Sequence, residues 1–173
     1  YSAQVQPMIQ TPGHGTFPSG HAAESFMIAH VLSVLFAERE AAIYGSDNRI
    51  WRRQLLRQAA RIAVNRVVAG VHFPVDGAAG QVLGTTLGRY FVARCEGRAT
   101  EFRGWKFVGE RYGHRDFPWQ EIDEALMSSE ARPLEYLVER APFTIQADVP
   151  TIGDTFLSPL NWLWCKAKEE WLP

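Results

Sequence analysis

The feature that most constrains this chain is a row of glycines inside a helix-forming, largely apolar segment. Gly77, Gly80, Gly84 and Gly88 recur at steps of three and four between about Asp76 and Arg94, the spacing that places residues on one helical face. Each glycine costs about 1 kcal/mol of helix propensity relative to alanine. Four on one face therefore predict a second helix packed unusually close, where any side chain would obstruct. Val75, Ala78, Ala79, Val82, Leu83, Thr86, Leu87, Tyr90 and Phe91 form the expected core-facing stripe of the same helix. Glycine spacing of this kind also joins membrane helices, but Arg89 and Arg94 break the apolar span such a helix needs.

The partner helices are equally legible. After an irregular lead-in over residues 1–20, a helix is predicted to start at Ser19-Gly20-His21. It continues through Ala22, Phe26, Ile28, Val31, Leu35 and Phe36 towards Ala42. It is apolar on nearly every side and so should be central. Its apolar run, Phe26 to Phe36, is interrupted by His30 and Ser33 and is too short to cross a bilayer. Gly45 to Asn48 breaks the chain, with Ser46 or Asp47 as the expected cap for the next helix.

That helix, about Asn48 to Ala69, carries Trp51, Leu55, Ala59 and Ile62 as an inward stripe and Arg53, Arg57 and Arg61 on the outer side. Arg66 continues the inward stripe, where a cation needs an anionic partner. Gly97 should stop the glycine-rowed helix. Beyond it, Arg98 to Pro118 has no clear period, and Trp119 to Glu130 and Pro133 to Arg140 read as short helices. Ala141 to Ser158 reads as a long ordered loop. Pro159 to Trp171 should be a final helix, whose Trp162, Trp164 and Trp171 pack onto the bundle.

The fold class expected is thus all-α: a helical bundle forming one domain over residues 1–173, with a motif-bearing core at 11–97 and a looser extension at 98–173. A formal net charge of −1 gives no clustered basic face for nucleic acid. Cys95 and Cys165 lack metal-ligand spacing and are expected as two buried thiols, a disulfide being the other option. The chain starts with Tyr1 rather than Met, so it is read as a processed or truncated piece of a larger helical domain. A soluble chain is expected, and its compartment is left open; export and a homo-oligomer are both compatible with it.

Chemistry concentrates in two segments. In Pro18-Ser19-Gly20-His21, Ser19 and Gly20 open a helix whose free N–H groups and dipole favour an anion, and His21 stands ready to exchange a proton with it. In Asn65 to Asp76, Arg66 precedes His72, and Asp76 lies four residues after His72. That spacing lets the carboxylate accept the Nδ1 proton and leave Nε2 as the basic lone pair. Ser19 as a simple helix cap, and Asp76 as another, are the structural alternatives. His30 is expected as a hydrogen-bonded core residue and His114 as a surface loop residue.

On these residues the chain resembles the superfamily that joins type 2 phosphatidic acid phosphatases, bacterial class A acid phosphatases and vanadium-dependent haloperoxidases. Its second motif, P-S-G-H, matches at Pro18 to His21; its third, S-R-x5-H-x3-D, matches at Asn65 to Asp76, with Asn65 in place of Ser. The resemblance covers about residues 11–95. It implies His72 as nucleophile of a phosphatase or as the protein ligand to vanadium, Asp76 as its orienting group and His21 as proton donor. Arg66, Ser19 and the Gly20 amide would hold the oxyanion.

Thr11-Pro12-Gly13-His14 resembles the lead-in of the haloperoxidase branch. It implies vanadate as cofactor, with phosphate in its place if the chain is a phosphatase, and His14 beside the halide chemistry. Halide oxidation by hydrogen peroxide is therefore the first expectation. Phosphate-ester hydrolysis through a phosphohistidine, or a degenerate non-catalytic domain, is the alternative. The family's first motif, a Lys and an Arg, has no match in residues 1–10, which hold no basic side chain. An upstream segment or a second chain is expected to supply those groups.

Overall fold

In the computed structural model, residues 6–11, 13–45, 49–97, 104–113, 115–131, 143–146 and 159–171 are described. They hold six α-helices: α1 (Gly20–Leu35), α2 (Ala37–Tyr44), α3 (Ile50–Val68), α4 (Pro74–Cys95), α5 (Trp119–Ala131) and α6 (Pro159–Trp171). The segments 46–48 and 132–140, with the expected caps Ser46 and Asp47 and the helix Pro133 to Arg140, lie outside the described residues, as does His114. Among the described residues, no helix is long and apolar enough to cross a membrane.

The glycine row does what its spacing demands. A β-carbon added at Gly80 would lie 2.7 Å from both the Ala22 β-carbon and the Ser19 carbonyl oxygen. One at Gly84 would overlap the Ala23 carbonyl, and one at Gly88 would lie 3.0 Å from the Met27 carbonyl oxygen and 3.1 Å from His30 Cβ. Residue numbers rise together along this seam, so α1 and α4 run parallel with their amino termini at one end. The price in large residues is a correction to the expected stripe: Leu83 and Leu87 are exposed, while Gly80, Gln81, Gly84, Thr85 and Gly88 are buried.

Helix α3 packs against α1 in the opposite sense. Ala22, Phe26 and Ala29 meet Leu56, Ala59, Ala60 and Ala63. Ser25 Oγ donates to the Ala59 carbonyl (3.4 Å), and Phe36 stacks edge-on against Trp51 (6.0 Å). Of the expected stripe Ala59 is buried, but Trp51, Leu55 and Ile62 are half-buried, so the buried face is turned from it. Arg53, Arg57 and Arg61 are exposed as expected.

The first long helix is also shorter than expected, turning at Phe36 before α2. There Phe36 meets Trp171 of α6 (4.8 Å) as well as Trp51. The buried carboxylate of Glu40 accepts from the Trp51 N–H and so caps α3. Arg49 at the N-cap position makes no side-chain cap bond.

The carboxy-terminal half is helical with one addition. Gly104–Phe107 (β1) and Phe143–Gln146 (β2) pair antiparallel, Gly104 opposite Gln146 and Phe107 opposite Phe143; the expected loop at Ala141 to Ser158 and the aperiodic 98–118 stretch therefore contain a short ribbon. Helix α5 packs Ile122, Ala125 and Leu126 with Tyr112 on Ala78 and Val82 of α4. Arg52 of α3 ties down Asp123 with two bonds, 3.0 and 2.7 Å. Trp164 of α6 is buried against Val92 and Cys95, whereas Trp162 and Trp171 are half exposed or more. Both cysteines are free thiols. Cys95 is buried, and burial pushes its pKa up to about 11; Cys165 is exposed, contrary to expectation.

Candidate active site

Packing alone brings three helix ends together. From the Ser25–Ala59 contact, Ser19 lies about 9 Å along α1 and Arg66 about 10 Å along the antiparallel α3, at roughly 1.5 Å per residue. The amino termini of α1 and α4 and the carboxy terminus of α3 thus meet at one end of the bundle. Two helix dipoles turn their positive ends towards that region.

A tight turn carries the chain from α3 to His72. Gly70, at φ 76°, donates to the Val67 carbonyl (2.9 Å), and Val71 donates to the Arg66 carbonyl (3.2 Å). This pair of bonds is a Schellman closure, which needs the left-handed conformation glycine tolerates. The Met8 amide donates to the Ala69 carbonyl (2.9 Å), so the lead-in also rests on this turn.

Asp76 then joins the segments. Its Oδ2 accepts from His72 Nδ1 at 3.3 Å and from the Phe73 amide at 2.9 Å. Its carbonyl accepts from the Ser19 amide at 3.0 Å. The side chains of His72 and Asp76 are 5% and 3% exposed. Burial fixes the imidazole with Nδ1 committed to the carboxylate and Nε2 left as its basic nitrogen. The two readings of Asp76, helix cap and histidine partner, are both realised in one carboxylate.

Ser19 is buried and caps α1, its Oγ accepting from the Ala22 amide at 3.4 Å; its hydroxyl proton is not used in that bond. Gly20 faces open space, with nothing within 4 Å of where a β-carbon would stand, and His21 is exposed on the first turn. Arg66 is half-buried, about 70° from the centre of the buried stripe of α3 at 100° per residue. Its Nε is buried and has no hydrogen-bond partner among the described residues. A buried donor left unpaired costs about 1–3 kcal/mol, so this nitrogen is suited to an anionic guest.

Among the described residues no hydrogen bond draws His14 into this constellation. It is exposed, and its Nδ1 donates to the neighbouring Gly15 carbonyl at 2.8 Å. Pro12 of the same lead-in lies outside the described residues. His30 is half-buried with its ring carbon against Gly88; burial, with Arg89 and Arg52 nearby, lowers its pKa to about 4. Among the described residues no group of three His, Cys, Asp or Glu is placed to hold a metal ion.

One element went unanticipated from sequence. A cleft of about 550 Å³ opens beside the start of α4, lined by Phe73, Pro74, Val75, Tyr112, Gly113, Arg115 and Asp116. Phe73 follows His72 directly, but no periodicity marks residues 112–116 as its opposite wall.

Comparison with known proteins agrees with the two motifs. No curated protein and no solved structure matches the chain. A family model described as the PAP2 superfamily matches residues 2–99, more than half of the 173 residues and all of α1 to α4. This chain belongs to the PAP2 superfamily.

Proposed function

We propose that this chain is a phosphate-monoester hydrolase that works through His72. Membership of the superfamily supports oxyanion chemistry of the phosphatase or haloperoxidase kind. The observation that carries the finer reading is the buried His72–Asp76 pair, 3.3 Å apart, at the bundle end where Arg66 Nε lacks a partner.

In this reading His72 Nε2 attacks phosphorus and the ester P–O bond breaks. His21 gives its proton to the departing oxygen, which leaves as an alcohol. Water, losing a proton to His21, then attacks the N–P bond, releasing inorganic phosphate and restoring the imidazole. Asp76 stabilises the positive charge His72 acquires. Arg66, the Gly20 amide and the Ser19 hydroxyl hold the non-bridging oxygens. Further cations would come from upstream sequence or a second copy of the chain, since residues 1–10 contain no Lys or Arg.

Halide oxidation is the second reading, favoured by Thr11, Pro12 and His14 ahead of Pro18-Ser19-Gly20-His21. The donor set fits vanadate as it fits phosphate: one basic imidazole nitrogen, an unpartnered guanidinium N–H and a helix amino terminus. When bound, vanadate would supply Lewis-acid activation of hydrogen peroxide towards halide. His72 would hold it, Arg66, Ser19 and Gly20 would surround its oxygens, and His21 and His14 would move protons. A retained cofactor of high negative charge asks more of the local cations than a passing substrate does, which places hydrolysis first.

The test runs both assays on the full chain. Expected is ester hydrolysis with an acid-labile phosphoryl label on the protein, lost in His72→Ala. Bromide oxidation dependent on vanadate and peroxide, without hydrolysis, transfers the assignment to the second reading. Neither activity, with no phosphate or vanadate binding, leaves a degenerate domain.

A further inference from the structure

We propose that the cleft beside His72 is the leaving-group site and that it takes a flat, uncharged aromatic body. This rests on the hydrolase reading and adds the substrate class. The first wall, Phe73, Pro74 and Val75, begins at the residue after the nucleophile. The same Asp76 oxygen that accepts from His72 also fixes the Phe73 amide at 2.9 Å, so nucleophile and wall are held by one group. In this proposal the alcohol portion of an ester attacked at His72 lies against this wall.

The second wall is rigid. Tyr112 is buried in the cluster with Ala78, Val82 and Ile122, and its hydroxyl donates to the Asp116 carbonyl at 3.2 Å. The Phe107 ring meets Tyr112 (6.3 Å) on one side and Phe17 (5.9 Å) on the other. An aromatic series therefore runs from the residue pair ahead of Ser19 to the cleft. Residues 112–116 lie outside the matched span 2–99, so this wall belongs to the chain's own extension rather than to the shared core.

The lining chemistry selects the occupant. Phe73 occupies the N-cap of α4, where Ser, Thr, Asp or Asn is preferred, and it is 52% exposed. Capping is done by Asp76, so the phenyl ring serves no local purpose and is free to stack. Arg115 lies over the Tyr112 ring at 5.6 Å and pairs with Glu121 at 3.1 Å. Arg115 and Glu121 are both exposed, and such a pair is readily exchanged. A guanidinium face also stacks on aromatic rings. Arg115 and Asp116 together disfavour a strongly charged occupant of either sign and suit a neutral ring with a polar edge. About 550 Å³ accommodates one or two rings, since benzene fills an engineered cavity of about 150 Å³.

Benzyl phosphate and butyl phosphate, both esters of primary alcohols, separate ring recognition from leaving-group acidity. The expected kcat/KM ratio favours benzyl by about tenfold, and Phe73→Ala and Arg115→Gln each pull it towards one. Phe73→Leu, which keeps apolar bulk, restores less than half of the preference. A second readout needs no turnover: 2-naphthylmethanol added to the full-length His72→Ala protein should shift NMR signals of residues 73–75 and 112–116. Hydrolysis of both esters at equal rates without those shifts overturns the cleft assignment and leaves the hydrolase reading intact. Shifts confined to the cleft without hydrolysis of either ester keep the aromatic site and overturn the hydrolase reading.

Discussion

Replacing Gly84 by alanine tests whether the glycine seam sets the distance between α1 and α4. The added methyl would overlap the Ala23 carbonyl oxygen and lie 2.9 Å from the Ala23 carbonyl carbon and Cα. Carbon atoms rest at about 3.5–4.0 Å, so the helices must separate by roughly 0.6–1 Å. All three obstructing atoms are backbone, and no rotamer change relieves them. Overpacking of this kind costs about 1–3 kcal/mol, offset by up to about 1 kcal/mol of helix propensity. The expected net loss is about 1–2 kcal/mol. Gly77→Ala is the matched control: its methyl would meet the Phe117 ring at 3.6–3.7 Å, ordinary contact, so propensity should leave it neutral or up to about 1 kcal/mol more stable. Urea unfolding followed by circular dichroism reads both, taken as midpoint shifts at constant m-value. In a chain of this size 1 kcal/mol moves Tm by about 2–4 °C. Equal stability of the two variants, or the reverse order, refutes the close-seam argument.

Other perturbations test the site and the polar interior. Asp76→Asn can keep both bonds, because one oxygen accepts from the Phe73 amide and from His72 Nδ1, but it removes the negative charge beside the imidazole. If His72 is the nucleophile, activity should fall about 10- to 100-fold, and a rate within a few-fold of the parent would show that the carboxylate charge does not assist it. His30, held near pKa 4 by burial, Arg89 and Arg52, stays neutral in the fold while the unfolded chain protonates near 6.5. Stability should therefore be full above pH 6.5 and decline by at most about 3 kcal/mol as pH falls to 4. Parallel stability profiles for the parent and His30→Gln would discard that account. Asp123→Ala strands the Arg52 guanidinium, 19% exposed, and should cost about 1–3 kcal/mol. Arg52→Met with Asp123→Ala should recover part of it, and a double-mutant cycle without coupling counts against the bond.

Legibility in the sequence followed the physics of each signal. The glycine row, the apolar first helix and the arginine-bearing third helix are local periodicities, and they placed three helices, the first of them running on through both α1 and α2. The turn at Phe36 was not legible, because it depends on Trp51 and Trp171 from distant elements. The rotation of the α3 stripe was missed for a related reason: small residues such as Ala60 and Ala63 pack inside where the seam is tight, while Trp51 and Ile62 stay half-buried. Leu83 and Leu87 misled in the same way, since glycine occupies the closest contact. The ribbon pairs strands of four residues whose starts lie 39 positions apart, and such short strands carry little period of their own. The contact between His72 and Asp76 was one of two readings the spacing allowed, beside Asp76 as a helix cap, and both contacts are present. The cleft wall at Tyr112 and Arg115 was not legible, because only tertiary packing carries it to Phe73.

The contacts of Asp76 make the spacing from His72 to the start of α4 sensitive to change. Its side chain caps α4 through the Phe73 amide and holds His72, while its carbonyl receives the Ser19 amide from α1. One residue thereby joins the start of α4, the orientation of His72 and the docking of the amino terminus of α1. Moving His72 by one position along the turn between α3 and α4 would take its Nδ1 away from the carboxylate. Moving Asp76 would shift the cap and slide the glycine row out of step with Ala22 and Ala23. Insertion of a single alanine between Val75 and Asp76 should therefore lower stability and activity together, whereas a single insertion in the solvent-facing segment before Ser19 should lower neither by a comparable amount. If the first insertion abolished activity with unfolding unchanged, the carboxylate would belong to the site alone and the packing role assigned to it here would fail.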